Sequence, residues 1–254
     1  MHQSIQLLAI RCPAWAKVTH AGTDLDIEAT VVDDSGRPLP TVALRVSSDV
    51  RVRVSQRDPA RWPTACPERH IEVPGTLCLG KGEPLSPASS READTWWEWL
   101  REFITSQFFA DRNQFWPSGR ALHHGDAANV QLQMEAISAH TCFEEDVRNA
   151  LENGKGWLAQ KLPRLTKDGT RLVNQRAPCP RGCQKRRTPL PKGFNRKPHP
   201  ILRKSCKKAD IMFALVKLER ERRKKDGEFW DQHPRKVCCG TMSHCPLKKG
   251  SRNE

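Results

Sequence analysis

Arg69-His70-Ile71-Glu72-Val73-Pro74-Gly75-Thr76-Leu77-Cys78-Leu79 separates two regimes of hydrophobic spacing in the first half of a 254-residue chain. Before it, apolar residues alternate with polar ones over Ser4 to Ile10, over Leu25 to Val32 (Leu25, Ile27, Ala29, Val31) and over Val42 to Val54 (ending Val50, Val52, Val54). A period of two is that of a half-buried strand, so these segments predict a meander of three or four strands. Asp34-Ser35-Gly36 and the prolines Pro38 and Pro40 mark its turns. The quoted stretch lies in a region, Asp58 to Pro84, too rich in breakers for regular structure. Its apolar island, Thr76-Leu77-Cys78-Leu79, is expected to be pinned to the core.

After it the period becomes helical. Ser89 followed by Glu92 reads as a capping box, and Trp96, Trp97, Leu100, Phe103, Ile104 and Phe108 recur at helical spacing, so this helix must bury an aromatic stripe. Asn113 and Trp116-Pro117-Ser118-Gly119 signal its end. A second helix is predicted from Asp126 to Ala139. A third starts at the capping box Thr141 to Glu144 and carries Val147, Leu151 and Leu158. Strands followed by helices define an α+β domain.

The charge is uneven. Residues 1–150 carry 15 Lys and Arg against 20 Asp and Glu, whereas residues 151–254 carry 28 against 9. Two compositions are joined, and the polar Thr166–Arg176 stretch followed by Pro178 marks the junction, giving domains of 1–165 and 166–254. No run approaches the roughly 20 apolar residues of a membrane helix, and Met1–Ile10 lacks the basic region of a secretory signal. The expected location is the cytoplasm, with no membrane partner. In that reducing setting ten cysteines are expected as metal ligands, nucleophiles or core residues rather than disulfides. The sequence has no phosphate-cradling glycine loop, serine-nucleophile elbow or paired-carboxylate motif, so nucleotide hydrolysis and common hydrolase chemistry have no support.

Of Cys12, Cys66, Cys78 and Cys142 in the acidic half, each taken singly reads as a small buried hydrophobe. Cys78 differs in its setting. It sits between Leu77 and Leu79, which can anchor the backbone while the thiol faces solvent, with His70 upstream.

The segment Arg69 to Leu79 resembles the active-site segment of ubiquitin-conjugating enzymes, in which a histidine opens a turn and a Gly-Thr-aliphatic-Cys-Leu stretch carries the thioester cysteine. Pro59, Trp62-Pro63 and Pro67 resemble the proline-rich approach of that family. Trp96-Trp97-Glu98-Trp99-Leu100, Trp116-Pro117 and His124-Gly125 resemble bacterial relatives found in anti-phage defence and ubiquitin-like conjugation operons. The resemblance covers residues 1–160. It implies a catalytic Cys78, with His70 supporting the loop or polarising the site. The implied partners are an activating enzyme, a ubiquitin-like modifier and a target amine. His123-His124-Gly125-Asp126 is a second polar cluster that could approach the cysteine, although capping by Asp126 accounts for part of it.

Two departures stand out. Glu72 occupies the position of the eukaryotic asparagine whose amide stabilises the oxyanion, and a carboxylate cannot donate that hydrogen bond. The interval from His70 to Cys78 is also shorter than in the eukaryotic enzymes. Either another donor serves, as in bacterial relatives that also lack the asparagine, or the domain is a non-catalytic adaptor.

The basic segment holds Cys179, Cys183, Cys206, Cys238, Cys239 and Cys245, with His199, His233 and His244 nearby. Cys179-Pro180-Arg181-Gly182-Cys183 and the Cys239 to Cys245 run read as glycine-containing knuckles that suit thiolate ligation of zinc. Between them a helix is predicted from Lys208 to Asp226, apolar at Ile211, Met212, Leu215 and Leu218. One helix and two knuckles make a poor core, and structural zinc would supply the missing folding energy; which four cysteines ligate is open. A cysteine-rich tail also resembles those fused to bacterial domains of this class. Basic runs at Lys185-Arg186-Arg187, Arg203-Lys204, Lys207-Lys208 and Arg220 to Lys225 could track phosphates or meet an acidic protein. Three readings remain open: a conjugating enzyme, an adaptor of the same fold, and a zinc-dependent nucleic-acid-binding protein.

Overall fold

A computed structural model of the chain describes residues 3–49, 51–79, 86–117, 119, 123–173, 177–183, 200–203, 205–233, 238–243 and 245–248. His199, His244, Lys204 and the Lys185-Arg186-Arg187 run lie outside the described residues. The chain packs as two units: Met1–Leu122 together with His233–Glu254, and His123–Gln232.

The first unit opens with helix α1 (Gln3–Ile10), followed by strands β1 (Ala16–Ala21), β2 (Leu25–Ala29), β3 (Val42–Ser48) and β4 (Val52–Gln56). A 3-10 turn, Pro67–Arg69, leads into the short strands β5 (Ile71–Glu72) and β6 (Thr76–Leu77), and helix α2 spans Ser90–Asn113. The sheet is antiparallel in the order β1-β2-β3-β4-β6-β5. Its register aligns Leu25 with Val46, Val46 with Val54, Val54 with Leu77 and Leu77 with Ile71. All five side chains are buried, so one apolar row crosses five strands. The α+β expectation is met: an antiparallel sheet precedes the helices.

Ser4–Ile10, expected as a strand, is α1 instead. The run Ile5, Leu7, Leu8, Ala9, Ile10 satisfies either period, and burial of Ile5 and Leu8 against α2 decides for the helix. The indole N–H of Trp97 donates to the Leu8 carbonyl at 3.2 Å, fixing that contact. The strand β1 replaces it at the sheet edge, with most of its residues exposed. Helix α2 begins as the capping box predicts: Ser89 Oγ accepts from the Glu92 N–H, and Glu92 reaches back to the Ala88 N–H. Its stripe of Trp96, Trp97, Leu100, Phe103, Ile104 and Phe108 lies against the sheet core.

The second unit holds α3 (Asp126–Ser138), α4 (Glu144–Asn153) and α5 (Ala209–Gln232). Helix α4 stops at Gly154, so Leu158, expected within it, is buried beyond its end. Helix α5 continues past the expected Asp226 through Gly227 to Gln232. Its Met212, Leu215 and Val216 pack with Met134 of α3 and with Phe143, Val147, Leu158 and Leu202. Buried Glu219 accepts from Arg222 and Arg223, and Arg220 donates to the Pro163 carbonyl. Lys224 pairs with Glu228 and Lys225 with Asp126, so the basic run of α5 is engaged within its own unit. Among the described residues no helix is long and apolar enough to cross a membrane.

Candidate active site

Strands β5 and β6 form a tight hairpin through Val73, Pro74 and Gly75, where φ is 106° and a side chain would be strained. Leu77 points into the apolar row, and the alternation of an extended chain then turns the next residue outward: Cys78 is exposed. The Cys78 N–H donates to the His70 carbonyl at 2.8 Å. His70 itself has a left-handed backbone, φ 53°, and closes the 3-10 turn; its ring lies 4.9 Å from that of Trp116. Cys66 and Ile71 exchange both main-chain hydrogen bonds across this turn, at 2.8 and 3.0 Å. The residues that precede and follow His70 are thus fixed by main-chain bonds and do not rely on side-chain packing alone.

Cys78 borders a shallow recess with Thr76, Leu79, Trp96, Glu72, Arg51 and Arg53. Glu72 is exposed there, in the position where the eukaryotic pattern has an amide.

Beneath the segment lies Arg69, only 2% exposed. Its guanidinium donates to Asp111 at 2.8 Å, to Gln107 at 3.1 Å and to Thr241 at 2.8 Å, while the Gln107 amide donates back to the Arg69 carbonyl at 2.6 Å. Asp111 also accepts from the Trp62 indole. This network ties the active-site segment to α2 and was missed in the sequence; the signal was a polar Gln107 inside the apolar stripe of α2.

His123, His124 and Asp126 engage α5. His123 meets Arg222 and Asp226, at 3.4 Å from the carboxylate; His124 stacks on Phe229 and meets Trp230 edge-on. Burial pushes the Asp226 carboxyl up. The His123 hydrogen bond, with charge from His123, His124 and Arg222, outweighs it and leaves the pKa below the usual value.

The six cysteines of the basic segment fall into two groups. Cys179, Cys183 and Cys206 belong to the second unit, where Cys183 interacts with Cys179 and Cys206, its thiol pushed up first by the Cys179 hydrogen bond. Cys238, Cys239 and Cys245 belong to the first unit and share a small cluster with Cys66. Cys239 Sγ lies 3.0 Å from Cys66 Sγ and 3.1 Å from the Thr241 hydroxyl. The Cys66 hydrogen bond, joined by Thr241 and the Arg69 charge, holds the Cys239 thiol well below its ordinary range, while the same bond and burial push Cys66 up. None of the ten cysteines, all among the described residues, is joined in a disulfide. Among the described residues no three His, Cys, Asp or Glu side chains already stand around a common point as a bound ion requires. The chemistry of a set of clustered thiols nonetheless suits zinc.

Residues 15–118 match the family model of the prokaryotic E2 domain, E2 denoting the conjugating class. Residues 123–247 match that of the cysteine-rich domain C-terminal to the E2 domain. The two matches follow one another in the order of an E2 domain and the cysteine-rich domain C-terminal to it, and Cys78 with its hairpin lies inside the E2 match. Searches of curated proteins and of solved structures found no match.

Proposed function

We propose that the chain is a ubiquitin-conjugating-type transferase of a bacterial conjugation system, of the kind found in anti-phage defence operons, with Cys78 as its nucleophile. The observation that carries this reading is an exposed Cys78 held through its own N–H to His70, one residue beyond a buried Leu77, within an E2 domain. In the reaction the Cys78 thiolate attacks the thioester joining an activating enzyme to a ubiquitin-like modifier. The new thioester forms as the activating enzyme's cysteine leaves as a thiolate. A lysine amine of the target then attacks, forming an isopeptide bond and returning Cys78 as a thiol. The thioester supplies the driving force, so the protein's work is to position the carbonyl and steady the tetrahedral oxyanion. His70 serves as a positioning residue through its carbonyl. Zinc held by cysteines of the C-terminal domain would be structural, and that domain would recruit the target or partner.

Glu72 favours a second reading, a non-catalytic adaptor of the same fold. Nucleic acid as the partner is weakened by the pairing of the Arg220 to Lys225 run within its unit. The test is intact mass after incubation with ATP and the activating enzyme and modifier encoded beside it. A reductant-labile adduct absent from Cys78→Ala and converted to a stable ester in Cys78→Ser establishes the transferase. Unmodified protein beside a charged activating enzyme selects the adaptor.

A further inference from the structure

Four of the ten cysteines share one small cluster, and they come from two distant parts of the chain. Cys66 stands at the turn that leads to His70; Cys238, Cys239 and Cys245 follow α5. Cys66 and Cys245 are almost fully buried, with Cys238 and Cys239 packed against them. Cys66 Sγ and Cys239 Sγ stand 3.0 Å apart, and Cys238 and Cys245 pack in the same cluster.

We propose that Cys66, Cys238, Cys239 and Cys245 form a tetrathiolate site for a soft divalent cation of the zinc class, fastening residues 238–248 to the turn that carries the active-site segment. It is independent of whether Cys78 is catalytic.

The backbone beside one of the sulfurs supports this. Cys238 Sγ accepts the N–H of Gly240, two residues downstream, at 3.3 Å. Such donors favour the anionic form of the group they face, and hydrogen bonds of this kind orient and stabilise metal ligands. Cysteines serving only as small hydrophobes have no need of them. A compensating cation is also present: Arg69 reaches Thr241, whose hydroxyl meets Cys239.

Besides the cysteines the cluster holds only Ala110, Met242, Leu247 and a half-buried Trp116, so burial alone gives the 238–248 segment a modest anchorage. Metal–thiolate bonds would supply the rest. With Zn–S bonds near 2.3 Å, tetrahedral sulfurs stand about 3.8 Å apart. Binding would therefore spread Cys66 and Cys239 from 3.0 Å.

The proposal is tested on the full chain, purified under reducing, oxygen-free conditions, loaded with zinc or stripped by a chelator, and pulse-alkylated with peptide mapping. Cys66, Cys238, Cys239 and Cys245 are expected to be protected together by zinc and to lose protection together on chelation. Cobalt(II) in place of zinc is expected to give the intense thiolate charge-transfer absorption of four sulfur ligands. Cys66→Ser should lose one equivalent of metal where Cys12→Ser loses none; should Cys66→Ser fail to fold, the wild-type protection map decides. Alkylation of Cys66 unchanged by chelation overturns the proposal. A mass lower by two hydrogens, with Cys66 and Cys239 in one cross-linked peptide, overturns it in favour of a disulfide.

Discussion

Cys78 is held by its main-chain N–H to the carbonyl of His70, the residue next to buried Arg69. The position of the exposed thiol therefore depends on a guanidinium that never meets solvent. Arg69, Gln107 and Asp111 form the link between the segment and α2.

Replacing Arg69 by Ala leaves the Gln107 side-chain oxygen without its guanidinium donor and Asp111 without its closest cation. The expected loss is about 3 kcal/mol, the lower part of the range for breaking a buried pair because Asp111 is partly exposed. Urea unfolding measures it, and the rate of Cys78 alkylation under native conditions should change in the same variant.

Leu77 sits between Val54 and Ile71 in the apolar row that crosses five strands, and truncating it leaves a cavity beside both. Leu77→Ala should cost about 2–4 kcal/mol in chemical denaturation. The conservative Leu77→Met should cost under about 1.5 kcal/mol.

Ser89→Ala removes the acceptor for the Glu92 N–H at the start of α2. A loss of about 1 kcal/mol is expected, seen as a lower thermal midpoint. Ser89→Asp should keep most of it.

The depressed pKa of Asp226 makes the second unit acid-sensitive. A carboxylate whose folded pKa lies below its unfolded value of about 3.9 contributes stability that is complete at neutral pH. That stability is lost as pH falls through the lowered folded value. Asp226→Asn should therefore be less stable than the wild type at pH 7 and lose less stability than it between pH 7 and pH 3 in urea melts.

Local features were legible in the sequence. The Ser89–Glu92 cap and the Leu25, Ile27, Ala29 alternation are written within a few residues, and each formed as expected. The α1 segment was not legible, because its apolar run fits two periods and only contact with α2 decides between them. Cys66 and Cys239 meet across 173 residues, a separation over which no local spacing carries information. Arg69 hid for a related reason: an arginine beside a histidine reads as surface until Gln107 and Asp111 are brought beneath it.

The first unit is built from two stretches of chain with the whole of the second unit between them. On a ribosome, the sheet and α2 emerge early, while Thr241 and Ser243, which bond Arg69 and the Gln114 carbonyl, are made only after α5. The segment bearing Cys78 would thus receive its last supports only after the whole of the second unit has been made. An early-halted nascent chain would carry the thiol without them.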